Sequence, residues 1–179
     1  MIRKIIKIFP IYLFFVAFFL SADDFDVHVW LKEKATEYFP EAIKIRRYLH
    51  QIPEPCFEEH KTSAYLADYL KKCGLEVQTG IAGTGIKAVL RGAKDQPVVG
   101  IRADMDALPI LETTGLEFQS RHQGFMHACG HDAHMTNVLM AAKLLSGIKE
   151  KIPGTMVFIF QPCEEGAPEG SLSGADRLI

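Results

Sequence analysis

The sequence lacks the features that mark several functional classes. It has no charge excess: 20 Lys and Arg stand against 22 Asp and Glu, a formal net charge of −2. Nothing therefore suggests the basic face that a nucleic-acid partner needs. It has no internal repeat and no low-complexity tract. No apolar run reaches the roughly 20 residues needed to cross a bilayer. The glycine-rich stretch Gly80 to Gly85 has no lysine or serine at phosphate-loop spacing, so it reads as a tight β connection and not as a nucleotide site. A His-Glu-x-x-His motif is missing as well.

At 179 residues with an ordinary apolar share, the chain is long enough for one domain with a sizeable core. Its first residues stand apart. Arg3, Lys4 and Lys7 form a basic start, and Ile8 to Leu20 is an apolar run broken only by Pro10. A short apolar core behind a positive end reads as an export signal over residues 1–22. A cut after Ala22 leaves Leu20 where a small residue is preferred, and the same segment left uncleaved would be a membrane anchor. The expected localisation is therefore periplasmic or secreted. The four cysteines then raise the question of disulfides. Cys56 and Cys73 flank a predicted helix and read better as free, partly buried thiols than as a bridge. Cys163 reads as packing.

The periodicity predicts a helix over Val27 to Tyr38, with Val29, Trp30 and Leu31 as apolar anchors, interrupted at Pro40 and resumed over Ala42 to His50. A second helix is expected over His60 to Cys73, with Tyr65, Leu66, Tyr69 and Leu70 on its apolar side. Glu58 and Glu59 at its start suit the helix dipole, and Gly74 stops it. Leu75 to Thr79 and Ile86 to Leu90 are short strand candidates. Val98 to Arg102 is a third, followed by a loop from Ala103 to Pro109. Asp132 to Leu145 reads as a helix, Thr155 to Gln161 as a strand, and Ala175 to Ile179 as the start of another helix. Strand, helix and strand at this spacing form a βαβ unit with parallel strands. The fold class expected is α/β, with a mixed, largely parallel sheet flanked by helices. Asp104 and Asp106 follow one strand of that unit, and Glu164 and Glu165 follow the other, so chain order brings four carboxylates to one sheet edge.

That edge faces the most unusual stretch, Met126 to His134, which holds one thiol, three imidazoles and a carboxylate. No core-building pattern needs this mixture; metal binding does. Cys129 and His131 are candidate ligands, with Gly130 letting the backbone turn between them. A thiolate beside a helix start gains from the dipole and from a cation. His134 lies three residues on and is either a ligand or a group that orients one. His127 reads as structural. Glu164 and Glu165 are consecutive, so in extended backbone one can hold metal while the other faces the reacting water. Asp104 and Asp106 either orient a ligand or serve turn chemistry.

Arg102 to Pro109, His127 to His134 and Gln161 to Gly166 together resemble the hippurate hydrolase and N-acyl-amino-acid amidohydrolase group of metallopeptidase family twenty. Arg46 to His50 and Phe57 to Glu59 also fit that group. The resemblance spans about residues 40 to 179. It implies a zinc-peptidase-like catalytic domain over residues 23–179, with two divalent metals (Mn, Zn, Co or Ni). Carried over by position, Cys129 would be shared by both metals, His131 and Glu165 would each hold one, and Glu164 would be the general base. The family's two further histidine ligands, and a lid domain that often mediates dimerisation, would lie beyond residue 179. The activity implied is hydrolysis of N-acyl amino acids, hippurate-like, to a carboxylate and a free amino acid. Rival readings are a metallo-exopeptidase acting on small peptides, an inactive fragment, and a redox thiol at Cys129.

Overall fold

The structure, a computed structural model, describes residues 25–167 and 169–179; the segment read as an export signal lies outside them. Helix α1 (Val27–Gln51) is followed by α2 (His60–Lys72), the strands β1 (Glu76–Ile81), β2 (Gly85–Arg91) and β3 (Val98–Asp104), helix α3 (His131–Ser146), strand β4 (Thr155–Gln161) and the short helix α4 (Gly174–Leu178).

The four strands form one sheet in the order β1-β2-β4-β3. β3 and β4 pair in parallel, which is the βαβ unit expected, with α3 as the crossover. The sheet is mixed, as expected, but less parallel than expected. The β1–β2 hairpin is antiparallel, and β2 also runs antiparallel to β4. A tight hairpin can only join antiparallel strands, and its second strand takes the place beside β4.

Alternation along the strands sends Ile86, Ala88, Leu90, Phe158 and Phe160 to one face, where they meet Leu49 of α1, Leu66 and Leu70 of α2, and Met135 and Leu139 of α3. These side chains form one continuous core. The opposite face carries the half-buried Val89, Val157 and Ile159, and no described helix covers it.

Helix α2 has the apolar side expected: Leu66 and Leu70 are buried, with Tyr65 and Tyr69 packed against the core. Its start differs from expectation. Glu54, upstream in the loop, accepts from the backbone N–H groups of Lys61 (3.1 Å) and Thr62 (2.8 Å), so it satisfies donors that a helix leaves orphaned. Glu59 makes no side-chain cap and is fully buried elsewhere.

Helix α1 runs unbroken through Pro40. The proline deprives the Thr36 carbonyl of its helical donor, but this stretch is exposed, where water can take the donor's place. Packing of α1 along α3 outweighs the local defect. Of the anchors expected at its start, Trp30 and Leu31 are half-buried and Val29 is exposed. Cys56 is bonded to Cys163, 107 residues away in sequence, which corrects both the free-thiol reading of Cys56 and the packing reading of Cys163. Cys73 is free, as expected; the fold returns the end of β4 to the loop between α1 and α2.

Candidate metal centre

The parallel register sets Asp104 beside Gln161, so the loops that leave β3 and β4 start side by side. Met105 donates its N–H to the Gln161 carbonyl at 2.9 Å. Asp104 is the last residue of β3 and not part of the loop. Two residues on, Asp106 accepts the N–H of Glu165 at 3.0 Å. One carboxylate of the first loop therefore fixes the backbone of the second.

The third component is the start of α3. Gly130 caps it in the left-handed region, at φ 89°, a conformation that glycine adopts without strain. This turn leaves Cys129 exposed ahead of the helix and buries His131 as its first residue. His131 Nδ1 lies 2.8 Å from the Asp106 carbonyl oxygen. A carbonyl only accepts, so Nδ1 carries the proton and Nε2 is left as a donor atom for a cation. Nε2 stands 3.7 Å from a carboxylate oxygen of Glu164 and 3.7 Å from one of Glu165.

Cys129, His131 and Glu165 each offer one ligand atom, and these atoms all lie within 4.8 Å of one another. Asp104, His131 and His134 form a second group at the same spacing, sharing His131. The donor set suits a divalent ion. Thiolate and imidazole favour zinc, cobalt or nickel, and the surrounding carboxylates also admit manganese. Among the described residues, Asp104 Oδ1 is buried without a hydrogen-bond partner and Asp106 Oδ1 has only a long approach to His131 Nδ1, at 3.4 Å, which fits a site whose negative charge is meant to be offset.

The electrostatics point the same way. A hydrogen bond to Glu165, burial, and the charges of Glu165, Glu164 and Asp104 push the Cys129 thiol up to about 11. The acidic neighbours oppose the thiolate at this helix start, so the cation that the sequence reading also invoked is needed to offset them. Burial opposes the charged form of His131, but the Asp106 carboxylate and carbonyl, with the charge of Asp104, outweigh it and lift the imidazole to about 9. Burial also works against the Asp106 carboxylate. Its hydrogen bonds to His131 and to the N–H groups of Glu165 and Glu164 win, and hold it below the usual range.

Glu164 and Glu165 do not diverge to opposite sides: both carboxylates approach the same imidazole nitrogen, and the chain enters this pair through Cys163 at φ 51°. Only Glu165 joins the group with Cys129. His134 stacks beside His131 with ring centroids 5.5 Å apart. His127 is buried, both its ring nitrogens lack a hydrogen-bond partner among the described residues, and burial above all lowers its pKa to about 4.

Sequence reasoning missed the support behind this edge. Asp132, fully buried, accepts from His50 Nδ1 at 2.7 Å and pairs with Arg46 Nε at 3.0 Å, tying α3 to α1. The signal was the grouping of Arg46, Arg47 and His50 around the core residue Leu49 in an otherwise amphipathic helix. A cavity of about 390 Å³ adjoins the group, lined by Pro55, Leu108, Pro109, Phe125 and Glu165 among others. A groove of about 350 Å³ over Phe39, Ile43 and Phe118 contains none of the ligand candidates.

Residues 100–179 match Peptidase family M20/M25/M40. The chain is 44% identical over 150 residues to Thermostable carboxypeptidase 1 of Saccharolobus solfataricus, covering 83% of this chain and 37% of that protein. It is 42% identical over 144 residues to N-acetyl-L-cysteine deacetylase of Bacillus subtilis, covering 76% of this chain and 35% of that protein. Among solved structures it resembles the YxeP protein of Bacillus subtilis, a dinuclear metal binding peptidase of the M20 family, with a TM-score of 0.69 and 41% identity over 73% of this chain and 37% of that one. The chain thus spans just over a third of the length of each of these relatives. Three ordered motifs converge on one sheet edge, and residues 100–179, which hold all three, match peptidase family M20/M25/M40, with the likenesses in sequence and fold extending over a longer part of the chain.

Proposed function

We propose that this chain carries part of the catalytic centre of a metal-dependent amidohydrolase that cleaves N-acyl amino acids to a carboxylate and a free amino acid. The observation that carries the reading is the meeting of Cys129, His131 and Glu165, ligand atoms all within 4.8 Å, from three separate segments. These three would hold divalent cations, two in the complete centre. Bound there, the cations supply Lewis acidity that lowers the pKa of water and polarises the amide carbonyl. Glu164 is the general base: its carboxylate is 40% exposed, stands beside His131 and does not belong to the Cys129 group. It takes a proton from the attacking water and returns it to the departing amine. Asp106 orients both His131 and the Glu165 backbone. Asp104 and His134 bring two further ligand atoms within 4.8 Å of His131.

The second reading is a metallo-exopeptidase, favoured by the likeness to a carboxypeptidase at nearly the same identity as the deacetylase. The cavity beside Glu165, walled by Leu108, Pro109 and Phe125, favours an apolar acyl group and so the amidohydrolase. The basic and apolar start is read as an export signal, and the Cys56–Cys163 bond suits an oxidising compartment. Dimerisation through a lid domain belongs to the same proposal for the longer protein.

The test is metal titration followed by hydrolysis assays on hippurate, N-acetyl amino acids and dipeptides. Glu164→Gln is expected to abolish turnover and leave metal content intact. Loss of metal together with activity would make Glu164 a ligand; absence of any metal uptake by the parent chain would make this an inert piece.

A further inference from the structure

Glu164 and Glu165 hang from Cys163, and Cys163 is held from three directions. It is fully buried and adopts the left-handed backbone region that side-chain-bearing residues rarely enter. Its N–H donates to Glu59 Oε1 at 3.0 Å. Its carbonyl accepts from Gly174 N at 3.1 Å, an approach that only glycine permits, because a Cβ there would lie 1.6 Å from the Pro162 oxygen. Its sulfur is bonded to Cys56. Glu59 is itself fully buried, and its second oxygen accepts from the Thr84 hydroxyl. Among the described residues no cation pairs with it, and burial raises its pKa. A buried carboxylate without a cation is a costly way to stabilise a fold. Its position suits another task, holding the turn that aims the two glutamates.

We infer that Glu59, with the Cys56–Cys163 bond, is a positioning clamp for the Glu164–Glu165 loop, fixing the left-handed turn at Cys163 that brings both carboxylates to His131. The inference rests on the reading of Cys129, His131 and Glu165 as a metal centre. If the Glu59 acceptor is removed, the buried Cys163 N–H is left unpaired. The easiest relief is rotation of Cys163 out of the left-handed region. That rotation swings Glu164 and Glu165 away from the imidazole. The covalent link from Cys56 resists the same movement, from the same loop, through the side chain.

What Glu59 supplies is acceptor geometry and not charge. A glutamine can accept from Cys163 N with its oxygen and donate its amide to Thr84, whose hydroxyl also accepts. Glu59→Gln is therefore the conservative variant, and Glu59→Leu is the disruptive one. The probe is cobalt(II), followed by its thiolate charge-transfer absorption at Cys129 in the purified protein. The expected result is affinity about 10- to 100-fold weaker in Glu59→Leu and in the Cys56→Ala/Cys163→Ala double variant, the usual cost of losing support behind metal ligands, and within about twofold of the parent in Glu59→Gln. Unchanged affinity in Glu59→Leu and the double variant, with the parent binding cobalt, overturns the clamp alone. Equal loss in Glu59→Gln and Glu59→Leu also overturns it, because charge and not acceptance would then be at work. A parent that binds no cobalt removes the metal-centre reading and the clamp with it. If the disruptive variants do not fold, hydrogen exchange in the parent and in Glu59→Gln decides: a Cys163 amide slow in both supports the clamp, and one that exchanges as fast as exposed loop amides overturns it.

Discussion

The ring of His131 is oriented by the main chain of Asp106: Nδ1 lies 2.8 Å from the Asp106 carbonyl oxygen, and Nε2 is left facing Glu164 and Glu165. The Asp106 carboxylate meanwhile holds the N–H of Glu165 at 3.0 Å and stands 3.4 Å from Nδ1. Two candidate ligands thus lean on one residue, His131 chiefly on its carbonyl and Glu165 on its carboxylate. Asp106→Ala is expected to weaken cobalt binding by about 10- to 100-fold while leaving Cys129 and His131 in place. Spectrophotometric titration checks this, and unchanged affinity would show that the Asp106 carboxylate orients neither ligand.

Asp132 ties α3 to α1. It is fully buried and accepts from His50, Arg46 and the Ala133 N–H. Removing it leaves the buried His50 facing Glu112 alone, at 3.3 Å. Breaking one side of a buried charged network costs about 3–5 kcal/mol. Asp132→Ala should lower the chemical denaturation midpoint accordingly. A change under about 1 kcal/mol would mean that Arg46 and His50 find solvent instead.

His127 makes a pH prediction. Its pKa falls from 6.5 to about 4 on folding, chiefly through burial. The unfolded chain then binds the proton more readily than the folded one between those values. Stability is full above about pH 6.5 and is lost as pH falls toward 4, by an amount on the order of 3 kcal/mol. His131 acts in the opposite sense. Its folded pKa of about 9 lies above the ordinary value, so its contribution is full below about 6.5 and is lost as pH rises through 9. Denaturation midpoints measured across pH on the metal-free chain should peak near 6.5. His127→Phe should flatten the acid side only; an unaltered acid side would reassign it to the carboxylates.

Much of the site could be read in advance because it is written in short local motifs. Met126 to His134 combines residue types that no helix face or strand needs, and Thr155 to Gln161 is β-branched and aromatic enough to be placed at its observed ends. Pro40 shows the limit of local rules. Its effect depends on whether solvent reaches the freed carbonyl, and the sequence around it does not say.

Residue order alone determined that Cys129 and His131 flank a glycine turn at a helix start, and that two carboxylate-bearing segments follow the strands of one βαβ unit. Those facts are local, or follow from the handedness and direction of a crossover. Only the folded chain decided that Cys56 meets Cys163, that Glu59 holds the Cys163 amide, and that Glu164 and Glu165 turn to the same imidazole. These contacts join segments up to 107 residues apart. No spacing rule reaches that far, because the partner of a buried polar group is chosen by whatever the packed core brings alongside it.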